Sequence, residues 1–124
     1  MEVKRLLSKL GQSHIKNGNP TPCLDELLSP YPPEVKTLVK ETGGKQALPY
    51  EYITSWDRLN STTIPPIEAF SNKLSNSHLS PQNYKVVKKL FDLANCKSLL
   101  DYSSLYLRAD VGLLADVFLK QIFA

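Results

Sequence analysis

Two side chains four residues apart carry the clearest chemical signal in this chain. Tyr106 and Asp110 lie on a segment whose apolar spacing predicts a helix, so the phenol and the carboxylate share one face, a turn apart. A carboxylate so placed can be held by a divalent cation, among other partners. Tyr102 and Leu113 share that face, which puts Asp110 at the margin of a buried surface. There it needs a partner, because burying an unpaired charge is costly; Arg108, a backbone group or a divalent metal would each serve. Asp116 is six residues further on and turned well away, so it cannot share a ligand with Asp110 on one straight helix. It is expected to be solvated.

The remaining reactive groups offer less. Lys85, Lys88 and Lys89 form the densest basic cluster, which reads either as a solvated helix face or as a contact for a phosphate backbone. His14 and His78 stand in polar surroundings and read as loop or surface residues. Cys23 and Cys96 have no neighbours spaced to activate a thiolate, Lys97 beside Cys96 being a weak exception. Two cysteines cannot build a disulfide framework or a four-cysteine zinc site, and they fit ordinary thiols in a reducing compartment. The chain contains no phosphate-binding glycine loop, His-Glu-x-x-His, Cys-x-x-Cys or Gly-x-Ser-x-Gly motif.

The elements that must position these residues are helical. All nine prolines occur by Pro81, dividing the chain into a broken N-terminal part and a helical C-terminal part. Val3, Leu6, Leu7 and Leu10 predict a first helix with Gly11 as its stop, followed by a polar loop over 12–22. One or two turns are expected from Cys23 to Leu28, and a short helix opened by Pro32-Pro33 and closed at Gly43-Gly44. Leu48 to Ile53 reads as extended or irregular, Ser55 to Leu59 as a turn of helix, and Thr62 to Pro66 as a rigid connector. A short helix packed by Phe70 follows. Ser80-Pro81 signals a helix start with Tyr84, Val87, Phe91 and Ala94 on one face, ending near Asn95. Ser98 and Asp101 resemble a capping box that opens a helix of about 24 residues, roughly 36 Å long. Gly112 lies inside it, at a cost of about 1 kcal/mol relative to alanine. Lys36 to Val39 and Tyr52 to Thr54 are the only weak strand candidates, so the expected class is mostly α.

Composition bounds the function. The chain has 124 residues, 42% of them hydrophobic, and fifteen Lys and Arg against twelve Asp and Glu. That fits one small domain and is too apolar for a disordered chain. No apolar run approaches the roughly 20 residues of a membrane-spanning helix, and the N-terminus lacks the pattern of a secretory signal. A net charge of +3 is a mild excess, and by itself is no sign of a nucleic-acid binder.

Three blocks resemble the family B DNA polymerases of Polinton/Maverick transposons and related virus-like elements, relatives of the protein-primed viral polymerases. Leu48-Pro49-Tyr50-Glu51-Tyr52-Ile53-Thr54-Ser55-Trp56 is similar to the family's Phe-Pro-Tyr-Glu-Tyr segment. Ile64-Pro65-Pro66-Ile67-Glu68-Ala69-Phe70, with Lys73-Leu74, is similar to its Leu-Pro-Pro-x-x-x-Phe connector. The third block runs from Tyr84 to Phe118, through Cys96-Lys97-Ser98-Leu99, Tyr102 and Leu105-Tyr106-Leu107-Arg108-Ala109-Asp110. The resemblance divides the chain into residues 1–47, short helices and loops without a match, and 48–124, the C-terminal part of a 3′–5′ exonuclease-like domain. It implies a fragment of an α/β ribonuclease H-like fold with a long C-terminal helix.

In that family the third block carries the last exonuclease motif, tyrosine-x-x-x-aspartate. By resemblance Asp110 would bind a divalent metal, usually magnesium, and Tyr106 would orient the attacking water and the scissile phosphate. Lys85, Lys88 and Lys89 are the candidate nucleic-acid contacts. The first motif, Asp-x-Glu, occurs nowhere in the chain, and the polymerase Asp-Thr-Asp segment is also absent. Gly112 stands where relatives often carry leucine, which hints at drift. The resemblance therefore implies a fragment of a DNA-directed DNA polymerase that is inactive alone and binds no magnesium stably. Its expected partners are DNA and the remainder of the polymerase, with no membrane. Its expected location is intracellular, and nuclear if the element is eukaryotic. The alternative is a non-catalytic helical remnant that binds nucleic acid or protein. Apart from the exonuclease sheet, Leu105, Leu113 and Val117 are expected to be partly exposed unless the N-terminal helices cover them.

Overall fold

Proline and capping chemistry set most of the helix starts. The computed structural model describes residues 2–43, 47–49, 51–71 and 78–123, with side chains from residue 9 onward. Six α-helices occur among them: α1 (Glu2–Lys16), α2 (Pro22–Leu27), α3 (Pro33–Glu41), α4 (Trp56–Leu59), α5 (Pro81–Leu93) and α6 (Leu99–Phe123). A single 3-10 turn spans Ile67–Phe70. Prolines occupy the first helical position of α2, α3 and α5, where their missing N–H costs nothing. Ser80 caps α5 by accepting from the Asn83 amide at 3.2 Å. At the head of α6 the Ser98 hydroxyl accepts from the Asp101 amide at 3.4 Å. The Asp101 carboxylate accepts from the Lys97 amide at 2.9 Å. The protein is mostly α, and no strand occurs among the described residues.

One expectation about these elements fails, and one weak strand candidate is set aside. Gly11 does not end α1, which continues through it to Lys16. The stop is Gly18, at φ 72°, a left-handed conformation that glycine adopts without strain. Lys36 to Val39 is helical rather than extended, because Val35, Leu38 and Val39 fall on one buried helical face.

The chain forms two compact units, Met1–Lys45 with Leu107–Ala124, and Gln46–Tyr106. In the first unit Leu24, Leu28, Val35, Leu38 and Val39 are buried, as are Ala109, Leu113 and Val117 from α6. Two glycines permit close helix approach. A Cβ added to Gly112 would lie 2.8 Å from the Leu24 Cα, and one on Gly11 would lie 2.8 Å from Leu113 Cδ2. Leu113 and Val117 are thus buried, the alternative in which the N-terminal helices cover this face. The read of Gly112 as drift is replaced by a packing reason, since α2 backbone occupies the space a larger side chain would need.

In the second unit the core is Val87, Leu90, Leu99, Tyr102 and Leu105, with Pro49. Leu105 is therefore buried as well. The buried Tyr102 phenol donates to the Ala47 carbonyl at 2.7 Å, satisfying the polar end of a large apolar ring. Tyr84 donates to the Pro65 carbonyl at 2.8 Å and meets Phe70 edge-on, with ring centroids 5.8 Å apart. The Leu99 amide donates to the Ser61 carbonyl at 2.8 Å, fixing the start of α6 to the 60–63 turn.

Candidate functional site

Tyr106 and Asp110 both lie on α6, one turn apart. Tyr106 is half-buried and Asp110 is exposed, so the carboxylate needs no buried partner. Arg108, one of the partners considered for it, instead donates through Nη1 to the Leu27 carbonyl at 3.3 Å. Among the described residues, no three histidine, cysteine, aspartate or glutamate side chains gather closely enough to hold a metal ion. Two-metal phosphodiester hydrolysis needs several carboxylates around its cations. The donor set around Asp110 does not by itself fit a magnesium pair, and no hydrolytic step follows from it.

Lys85, Lys88 and Lys89 occupy the exposed face of α5, opposite the buried Val87 and Leu90. The spacing i, i+3, i+4 brings the three cations together. Lys88 extends over the Tyr84 ring, 5.1 Å from its centroid, and the apolar ring face steadies the ammonium without neutralising it. Asp92 is exposed on the same helix, a turn beyond Lys88 and Lys89, and lowers the net charge of the patch.

The most tightly held carboxylate in the described structure is Asp116, which was expected to be solvated. It is 3% exposed and accepts from the Cys23 amide at 2.8 Å and the Leu24 amide at 2.9 Å. Every amide at the start of α2 is thereby accounted for. Pro22 has none, Cys23 and Leu24 use Asp116, and Asp25 donates to the Thr21 carbonyl at 2.9 Å. Thr21 precedes α2 but its hydroxyl donates to Asp25 at 3.1 Å instead of capping the helix. With Arg108 on the Leu27 carbonyl, α6 places an anion at the N-terminus of α2 and a cation at its C-terminus. Both match the helix dipole. The Cys23 thiol also hydrogen-bonds Asp116, and that bond, then burial, then the nearby negative charge push its pKa upward. The sequence signal was the small-residue and acid pattern of Ala109, Gly112 and Asp116 on the buried face of α6.

The histidines separate. His14 is buried on α1, not at the surface, and its Nε2 donates to the Pro20 carbonyl at 2.7 Å. It closes the loop between α1 and α2, where Asn19 also accepts from Lys120 Nζ at 2.7 Å. His78 is exposed and pairs through Nδ1 with the Ser71 hydroxyl at 3.0 Å. Cys96 is half-buried, and its thiol is pushed up to about 11, first by burial and then by Asp101 and Asp92. Neither thiol is activated as a nucleophile. Among the described residues, no helix is long and apolar enough to cross a membrane.

Compared with known proteins, the chain matches no family model, no curated protein and no solved structure.

Proposed function

We propose that this chain is a piece of the exonuclease region of a family B DNA polymerase, of the transposon or protein-primed viral type, that contacts DNA without hydrolysing it alone. The observation that carries the reading is the Tyr106 and Asp110 pair on α6, in order with the 48–56 and 64–70 blocks. In the whole polymerase this helix would complete a ribonuclease H-like exonuclease domain, and the remaining carboxylates would come from the rest of that enzyme. The lysine face of α5 is the contact for DNA. It is exposed, and its charge serves phosphate rather than base recognition.

The genomic sequence around the reading frame tests the origin. The proposal expects remnants encoding Asp-x-Glu upstream and Asp-Thr-Asp downstream. Intact, unrelated coding sequence on both sides would contradict it. The DNA contact has its own test in the salt dependence of binding. Single-stranded binding weakens with a log–log slope of about −0.7 for each phosphate neutralised. Replacing Lys85, Lys88 and Lys89 with glutamine should therefore flatten that slope by about 2. An unchanged slope would remove α5 as the contact.

A further inference from the structure

The part of α6 in the first unit has a second apolar face. Leu107, Val111, Leu114, Phe118 and Ile122 are 56%, 55%, 39%, 63% and 54% exposed. They lie on the side of the helix away from Ala109, Leu113, Asp116 and Val117, which are buried. The spacing of the first four is 4-3-4, which keeps a seam facing a partner helix along its length. Leu119 and Phe123 widen the seam toward its end, at 37% and 81% exposed. Between Val111 and Phe118 the only charged residue is Asp116, which is buried and held by α2.

We propose that this seam is the contact between two copies of the chain, paired antiparallel through α6. Three observations select a second copy. The exposed apolar side chains offer on the order of 700 Å² per chain, near the about 800 Å² per partner that a standard interface buries. The middle of the seam, from Val111 to Phe118, exposes no charge and so has no electrostatic preference for an acidic or basic partner. It is also self-complementary about a two-fold axis near Leu114 and Ala115, as an isologous interface requires. That axis sets the large Phe118 of one copy against the smaller Val111 of the other, and Leu107 against Ile122, while the half-buried Ala115 lets the helices approach at the centre. The pairing concerns this chain by itself, without the remainder of a polymerase.

Sedimentation equilibrium of the full chain, from micromolar to millimolar concentration, tests it. The expected result is a monomer–dimer equilibrium that Phe118→Glu weakens at least about tenfold. Far-UV circular dichroism should show unchanged helix content in that variant, since Phe118 is exposed. Lys89→Glu, outside the seam, should leave the equilibrium as it is. Leu114→Cys should form a disulfide-linked dimer under mild oxidation where the parent chain forms none, because Leu114 lies beside the two-fold axis and so next to its own copy. A monomer throughout the range overturns the proposal and assigns the seam to another partner. A dimer indifferent to Phe118→Glu, or one that Leu114→Cys does not cross-link, overturns it as well.

Discussion

At the residue scale, the most consequential side chain is Asp116. Its two oxygens satisfy the Cys23 and Leu24 amides in a buried setting. Removing the acceptor leaves those donors without partners, at about 1–3 kcal/mol for a buried group. Asp116→Ala should therefore lower unfolding free energy by about 2 kcal/mol or more in urea titrations, and Asp116→Asn, which keeps one acceptor, by about half of that. A neutral Asp116→Ala would mean that water replaces the carboxylate. Cys96 gives a prediction with a sign in pH. Its thiol ionises near 11 in the folded protein against an ordinary value of 9.0. The unfolded chain loses this proton first, so the Cys96 contribution to stability is intact below pH 9 and declines between 9 and 11. Alkylation at Cys96, followed by mass spectrometry, should rise with a midpoint near 11. A midpoint at or below 9 would contradict the burial that causes the shift.

At the element scale, the helices were largely legible and their glycines were not. Pro33 and the Ser80-Pro81 pair announce starts by local chemistry, and α3 and α5 begin there, whereas α2 begins at Pro22, inside the loop expected over 12–22. Gly11 and Gly112 are ambiguous in sequence, because a glycine can stop a helix or admit a neighbour. The choice depends on contacts about a hundred residues apart along the chain. Asp116 was misread for the same reason, since its partners are 92 and 93 residues away. His14 likewise sits among polar residues in sequence, yet it is buried by the loop it ties. The two glycines predict opposite outcomes. Alanine gains about 1 kcal/mol over glycine in a helix interior. At Gly11 the nearest atom is the end of a mobile leucine side chain, so Gly11→Ala should leave the melting temperature unchanged or raise it. At Gly112 the obstacle is the α2 backbone, so Gly112→Ala should lower the melting temperature despite its propensity, and Gly112→Leu should lower it further. A stabilising Gly112→Ala would refute the close packing of α2 on α6.

At the scale of the whole molecule, the two compact units carry different features. The unit over Gln46–Tyr106 holds the 48–56 and 64–70 blocks and the lysine face of α5. The unit over Met1–Lys45 with Leu107–Ala124 holds Asp110, the Asp116 cap and the apolar seam. Neither shows a set of carboxylates that would hold two cations among the described residues. The mild net charge of the chain concealed how its cations are distributed, whereas the i, i+3, i+4 lysines on α5 could be read directly from spacing. Under the proposed function the molecule would hold DNA without cutting it. The direct measurement uses end-labelled single-stranded DNA with purified chain and magnesium at low salt, monitored by anisotropy and then resolved on a denaturing gel. Raised anisotropy with the DNA at full length is the predicted result. Shortened products that disappear in Asp110→Ala, or no rise in anisotropy at any protein concentration, would contradict it.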